Sequence, residues 1–278
     1  MTISDGAIMP LAGVFNNSGT VELSSTGDTT SLEIIQHGLV LNGAGHVVLS
    51  DSSENQIFGT GTDVTLTNVD NIISGAGQFG VGELNLVNEG TINASGTHAL
   101  VIDTGANAVI NSGTLEASNS GGLLITGDLV NSGLIWANNG NVDVIGNVTG
   151  NGTALIEGAA LLEFGGASDA QVTFGDNSLG TLKLDHSVDF NGMIFGLKSG
   201  EKIDLSDINF GTGVTSIYTA NGSGSGGTLT VTDGTHTANI ALSGTQAVQG
   251  YSVASDGHAG TVITFDPLEV PLADLHRI

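Results

Sequence analysis

Four aspartates flank the only group of lysines in the chain, and their carboxylates could together hold a calcium ion: Asp185, Asp189, Asp204 and Asp207. Calcium prefers oxygen ligands carried on turns. We therefore predict a calcium ion that fastens the C-terminal part of the chain to the part before it. The alternative is a set of solvated turn carboxylates, partly paired with Lys183 and Lys202, each pair contributing little to stability.

Trp136 is the only tryptophan, and its position in a repeated motif makes it a candidate sugar-binding residue. The motif Asn-x-Gly-x-apolar-x-apolar aligns Trp136 with Glu22, Asn93 and Glu116, between two apolar positions. Such a column faces outward from a strand. An exposed indole could contact the flat face of a sugar ring. The alternative is that Trp136 covers a groove or lies along a neighbouring ridge.

Several other kinds of chemistry are excluded by composition. The chain has no cysteine, and residues 1–182 contain no Lys or Arg although they carry 18 Asp and Glu. The whole chain has a net charge of -24, which disfavours nucleic-acid partners. The seven histidines are dispersed without a metal-binding spacing. No apolar stretch approaches the roughly 20 residues of a membrane helix, so we predict no membrane insertion.

Catalysis is disfavoured by the same composition. A polyuronate lyase needs a cation to neutralise the substrate carboxylate, and the repeat region has no Lys or Arg. An inverting glycosidase could use carboxylates alone, but the sequence shows no Asp-Asp pair or local Asp/His cluster. We therefore predict a non-catalytic protein. A polysaccharide-active enzyme, lyase or glycosidase, remains the alternative.

The elements that carry these residues form short repeats of strands and turns. The Asn-x-Gly motif begins at Asn17, Asn88, Asn111 and Asn131, and the last three copies start 23 and 20 residues apart. Alternating segments such as Ala99–Asp103 lie between the turns. This period predicts an all-β parallel β-helix, or β-solenoid, of roughly eight coils. The alternative is an antiparallel sandwich, which regular hairpin turns would indicate.

The corners of the solenoid and its domain limits follow from the same pattern. Gly and Asn suit corners where the backbone is left-handed, and stacked corner Asn amides could hydrogen-bond as ladders. Lysines and aromatic residues first become frequent near Leu182, where the motif stops. We therefore predict a solenoid at 1–182, a C-terminal β cap at 183–266 that covers the last coil, and a tail at 267–278.

Two groups of segments resemble known bacterial repeat proteins. Leu66–Gly77 and Asn111–Ala117 resemble the Gly/Asn-rich repeats of large secreted and surface proteins of proteobacteria, particularly rhizobia, and more distantly autotransporter passengers and filamentous haemagglutinins. Leu229–Ala238 and Ala254–Thr261 resemble the C-terminal block of the same proteins. Phe195–Ser206 is similar to the segment that closes calcium-binding repeat arrays in type I secreted proteins such as serralysins. The resemblance covers most of residues 41–267.

This resemblance implies type I export, folding outside the cell, and an extracellular or cell-surface location. The chain departs from the serralysin pattern because it lacks a repeated Gly-Gly-x-Gly-x-Asp array. We expect a secreted or surface-displayed structural or adhesive protein, stabilised by calcium, that contacts extracellular polysaccharide or a cell surface. The other alternative is an extracellular matrix subunit that self-assembles into homo-oligomers through the solenoid ends.

Overall fold

The computed structural model describes residues 1–244 and 250–266, which form 30 strands and one short 3-10 helix. The first strands are β1 (Thr2–Ser4), β2 (Ile8–Asn16), β3 (Thr20–Ser24), β4 (Thr30–Asn42), β5 (His46–Leu49), β6 (Asn55–Gly59), β7 (Thr65–Asn68), β8 (Ile72–Gly75), β9 (Gly77–Gly80) and β10 (Asn85–Asn88). They continue as β11 (Thr91–Ala94), β12 (Leu100–Ile102), β13 (Val109–Asn111), β14 (Thr114–Ala117), β15 (Leu123–Ile125), β16 (Leu129–Asn131), β17 (Leu134–Asn138), β18 (Val142–Val144), β19 (Val148–Thr149) and β20 (Thr153–Glu157). The last are β21 (Leu161–Phe164), β22 (Gln171–Phe174), β23 (Thr181–Leu184), the 3-10 turn Ser187–Asp189, β24 (Met193–Phe195), β25 (Lys202–Leu205), β26 (Thr215–Ala220), β27 (Gly226–Thr232), β28 (Thr237–Ser243), β29 (Tyr251–Ser255) and β30 (Thr261–Phe265).

These strands form a parallel β-solenoid of about nine turns, which confirms the predicted fold class. Each turn passes through three sheet faces. The first face stacks β1, β3, β5, β8, β11, β14, β17, β20, β22 and β24. The second face stacks the first halves of β2 and β4, followed by β6, β9, β12, β15, β18, β21, β23 and β25. The third face stacks the second halves of β2 and β4, followed by β7, β10, β13, β16 and β19. The antiparallel sandwich alternative is therefore wrong.

The core is narrow and filled by aliphatic side chains that alternate with outward residues. In β14 Leu115 and Ala117 are fully buried, and in β17 Ile135 and Ala137 stack directly on them. Each buried Leu or Ile contributes roughly 1.5–3 kcal/mol to stability. Because every strand pairs with the strands one turn away, the outward residues of successive turns also form continuous columns.

The corner between the third and first faces contains a buried ladder of asparagines, as predicted. The Nδ2 atom of Asn68 donates to Oδ1 of Asn88 at 2.9 Å, and Asn88 donates in turn to Asn111 at 2.8 Å. Asn111 then donates to Asn131 at 2.7 Å. All four side chains are at most 1% exposed. Stacked amides satisfy one another, because each provides both a donor and an acceptor.

The glycine of the repeated motif serves close packing rather than a left-handed backbone, which differs from the prediction. Gly113 does not have a positive φ, but a Cβ there would lie 2.0 Å from the carbonyl oxygen of Gly90 in the turn before. Gly133 is equivalent, with a Cβ position 2.1 Å from the oxygen of Gly113. The corner Asn residues of the ladder likewise lack a positive φ. They are selected by their hydrogen bonds.

On the second face, parallel pairing continues to β25, beyond residues 182 and 183 where the sequence predicts the start of the cap. Those two residues lie within β23, which pairs in parallel with β21 on one side and β25 on the other. Lys183 occupies an ordinary outward position there, and the limit between solenoid and cap stays a prediction. Beyond β25 the second face continues with β30 and β29 in antiparallel pairs. The first face continues with β28, which pairs in parallel with β24, and then with β27 and β26 in antiparallel pairs.

The antiparallel strands cover the last turn with aromatic side chains. The ring of Tyr251 lies 5.4 Å from that of Tyr218 and 5.0 Å from that of Phe265. Tyr218 and Phe265 are buried. This part of the chain therefore closes the core at its C-terminal end. The predicted tail at 267–278 lies outside the described residues. Within the described ranges, no helix is long and apolar enough to span a membrane.

Candidate functional site: an acidic cleft beside the last turns

A column of charged side chains runs along the second face over its last four parallel strands. Asp143 of β18 is in register with Glu163 of β21, Glu163 with Lys183 of β23, and Lys183 with Asp204 of β25. Each lies between two inward residues of its strand, so the alternation turns it outward. Three carboxylates and one ammonium group are thus stacked at the spacing of the turns.

The end of this column opens into a cleft of about 520 Å³ beneath the turn between β29 and β30. The turn contributes Asp256 and His258, and the residues directly after β23 and β25 are Asp185 and Ser206. The lining residues are Leu161, Glu163, Lys183, Asp185, Asp204, Ser206, Asp256, His258, Ala259 and Gly260. Four carboxylates therefore face one lysine in a single cleft.

Lys183 is held between two of these carboxylates. Its Nζ atom donates to Oδ1 of Asp185 at 2.7 Å and to Oε1 of Glu163. Burial alone would lower the pKa of Lys183, but these two hydrogen bonds raise it overall. Burial likewise raises the pKa of Asp185, yet the hydrogen bond and the charge of Lys183, together with other polar contacts, outweigh it, and the pKa falls below its usual range. Within this trio, Lys183 and Asp185 are therefore charged at neutral pH.

Asp143 and Asp204 lie on either side of that trio, and their pKa values are shifted upwards, opposite to that of Asp185. Burial, followed by the nearby charge of Glu163, raises the pKa of Asp143. Burial, followed by the charge of Asp256, raises the pKa of Asp204. In each residue the Oδ1 atom is buried and has no hydrogen-bond partner within the described part of the chain. Both carboxyls are acceptors that lack a donor.

The four predicted calcium ligands do not form one group. Asp185 and Asp204 line the cleft, whereas Asp207 accepts hydrogen bonds from Oγ of Ser187 and the backbone N–H of Val188. Asp189 ends the 3-10 turn with an exposed side chain. Among residues 1–244 and 250–266, no three or more His, Asp or Glu side chains are arranged to hold a metal ion.

Trp136 lies in the predicted outward column of the first face. It is in register with Glu116 in the turn before and Leu155 in the turn after, and Asn93 and Glu22 belong to the same column. The indole is half-buried, and its Nε1 atom donates to Oε2 of Glu157 at 3.1 Å. Asn138 donates to Glu116 at 2.7 Å beside it. The ring is thus fixed in place, with carboxylate and amide groups around it.

Sequence reasoning missed two features of this region. The charged column was detectable, because its members are 20 or 21 residues apart, which is the period of the repeat. The other is Glu201, which is fully buried just before β25. Burial raises its pKa to about 7, although the backbone N–H of Lys198 donates to its Oε2 atom at 2.7 Å. Its sequence, Gly-Glu-Lys, is that of an ordinary solvated turn.

No protein-family model matches the chain, and a search of curated proteins finds no match either. The class of the protein therefore comes from its fold, a β-solenoid with an acidic cleft near its C-terminal end.

Proposed function

We propose that the protein is a secreted or cell-surface β-solenoid with a structural or adhesive role and no catalytic activity. The observation that supports this most is the stacking of outward columns, which runs over about nine turns on the first two faces and over seven strand segments on the third. Such columns place outward side chains at a fixed spacing of about 4.8 Å. Many weak contacts of this kind give avidity when several copies are displayed together.

The contact region that best fits a polysaccharide partner surrounds Trp136. The indole face provides an apolar platform, and Glu116, Asn138 and Glu157 lie close to it with groups that bind hydroxyls. The hydrogen bond to Glu157 fixes the ring before a ligand arrives, which reduces the entropy lost on binding. Carbohydrate chains combine apolar ring faces with hydroxyl rims, so this mixture suits them.

Calcium is a further part of this proposal. The cleft gathers Glu163, Asp185, Asp204 and Asp256 around a single lysine, and Oδ1 of Asp204 lacks a donor. A divalent cation entering beside Asp204 and Asp256 would join the second face to the β29–β30 turn. Calcium binding here would raise the melting temperature by mass action. An unchanged melting temperature at millimolar calcium would exclude this role.

The test of adhesion is a glycan and whole-cell binding screen with the full chain, with and without calcium. We expect binding that falls at least about tenfold in Trp136→Ala, a loss of about 1.4 kcal/mol. Leu155→Ala is the matched control, because Leu155 is half-buried in the same column one turn later. Equal losses in both variants would indicate a general change in the face, and no binding by the parent chain would contradict adhesion.

A second candidate function, hydrolysis of polysaccharide, is favoured by one observation. In the cleft the pKa of Asp185 is lowered while that of Asp204 on the next strand is raised. Opposed shifts of two carboxyls are typical of acid and base pairs in glycosidases. Depolymerisation assays on neutral and acidic polysaccharides decide this point. Activity that is present in the parent chain and abolished in Asp204→Asn would favour the enzyme over the adhesin.

A further inference from the structure

The third face differs from the other two in its outward residues. One column there contains only uncharged, β-branched side chains over seven successive turns: Val14, Val40, Thr67, Val87, Ile110, Val130 and Thr149. We call this column the third-face stripe. Val14 is 71% exposed, and Val40, Ile110 and Val130 are 37–41% exposed. Thr67 and Val87, in the middle of the stripe, are half-buried. Exposed apolar side chains gathered along one face are a mark of interaction surfaces.

The third face is also free of charge, in a chain whose net charge is -24. None of its strand segments contains Asp, Glu, Lys or Arg, whereas the first face carries Glu22, Glu116 and Glu157. Glu89 and Asp128 adjoin these strands in the sequence, but they lie in the turns beside them. Two copies of so acidic a protein repel each other. The third face is the side on which they can approach without opposing carboxylates.

We propose that the third-face stripe pairs with the same stripe of a second copy of this chain. The two stripes have the same spacing between side chains, so they match along their whole length, as in the dry interfaces between β-sheets. The stripe is about 29 Å long, since neighbouring strands are about 4.8 Å apart. It buries less than the roughly 800 Å² per partner of a standard interface, so pairing is weak and grows with copy density.

This lateral pairing is distinct from assembly through the solenoid ends, and it does not depend on glycan binding at Trp136. Trp136 lies on the first face, so a paired protein would still present that column. Lateral pairing would double the number of first-face columns in one particle. Its failure would leave the adhesive proposal untouched, and the reverse also holds.

The chain has no cysteine, so single-cysteine variants test the proposal directly. Val87 is the middle member of the stripe, and two Val87 side chains meet whether the copies run parallel or antiparallel. Asn93 and Val101 are matched controls, because they lie in the same turn, face outward on the first and second faces, and are also half-buried. With a mild oxidant we expect Val87→Cys to form disulfide-linked dimers about tenfold faster than either control, because pairing raises the effective concentration.

A second substitution tests whether fast cross-linking of Val87→Cys comes from pairing of the stripes or from the local environment of the cysteine. Adding Ile110→Asp to Val87→Cys places a carboxylate in the stripe of each copy and should abolish the faster cross-linking. Circular dichroism verifies that each variant keeps its strand content. Equal rates for the three faces, or a fast rate that survives Ile110→Asp, would overturn the proposal. So would binding of the third face to an insoluble uncharged polymer without any enhanced cross-linking.

Discussion

Two columns of polar side chains run along the same solenoid, and the same stacking has opposite consequences in them. At the corner between the third and first faces, Asn68, Asn88, Asn111 and Asn131 are buried and joined by hydrogen bonds of 2.7–2.9 Å. On the second face, the charged column from Asp143 to Asp204 keeps buried oxygens without partners. Both columns arise because each turn repeats the position of the last.

The difference lies in the chemistry of the stacked groups. An amide carries a donor and an acceptor, so a column of identical amides satisfies itself at any length. A carboxylate only accepts, so like groups repel and lose hydration when stacked. Lys183 relieves this for Glu163 and Asp185 by donating to both. Asp143 and Asp204, one turn further on each side, receive no such donor, and the pKa of each is raised by burial.

The largest expected effect comes from breaking the amide ladder at its centre. Asn111→Leu removes the four hydrogen bonds of the Asn111 side chain, two within the ladder and two to backbone carbonyls. We expect a loss of about 3–4 kcal/mol in the free energy of unfolding, because each lost hydrogen bond contributes roughly 0.5–1.5 kcal/mol. Urea unfolding followed by the fluorescence of Trp136 measures it. Asn93→Leu, at an outward position, is the control. An equal loss of stability in this variant would show that the buried ladder stabilises the fold no more than an outward asparagine does.

The next largest effect is expected at Glu201, a buried carboxyl that is not part of a hydrogen-bonded ladder. The folded-state pKa of Glu201 is about 7, above its ordinary value of 4.5, so the folded protein keeps this proton between those pH values while the unfolded chain loses it. Stability from this group is therefore complete below pH 4.5 and is lost as the pH rises through 7. Glu201→Gln should raise the free energy of unfolding at pH 7 by about 2 kcal/mol and flatten its pH dependence.

Unfolding curves between pH 4.5 and 8 test this expectation for Glu201. Glu89→Gln provides the control, because Glu89 is exposed in a turn. Its curves should follow those of the parent protein. A variant with Gln at 201 that is less stable at pH 7 and keeps the parent pH dependence would show that the charged form is accommodated in the fold.

The same contrast explains which parts of the structure the sequence predicts. The strand period and the Asn ladder depend on residues about 20 apart in a regular repeat, so the motif at Asn88, Asn111 and Asn131 is sufficient to predict them. The cleft depends on Asp256, which meets Asp204 only because β30 folds back antiparallel on β25. No local pattern encodes that pairing.

The smallest expected change in the free energy of unfolding comes from comparing Asp204, whose Oδ1 atom has no hydrogen-bond donor, with Asp207, which accepts two hydrogen bonds. Asp204→Asn gives the column an amide that can donate where Oδ1 of Asp204 has no partner, and it removes repulsion from Asp256. We expect a gain of about 0.5–1 kcal/mol in the free energy of unfolding at pH 7, which shrinks as the pH falls and Asp204 becomes protonated. Asp207→Asn is the matched control with the opposite sign, because Asp207 accepts hydrogen bonds from Ser187 and Val188. Urea unfolding at pH 7 and pH 4 measures both variants, and a loss of stability in Asp204→Asn would mean that its carboxylate already has a favourable partner, such as a bound cation.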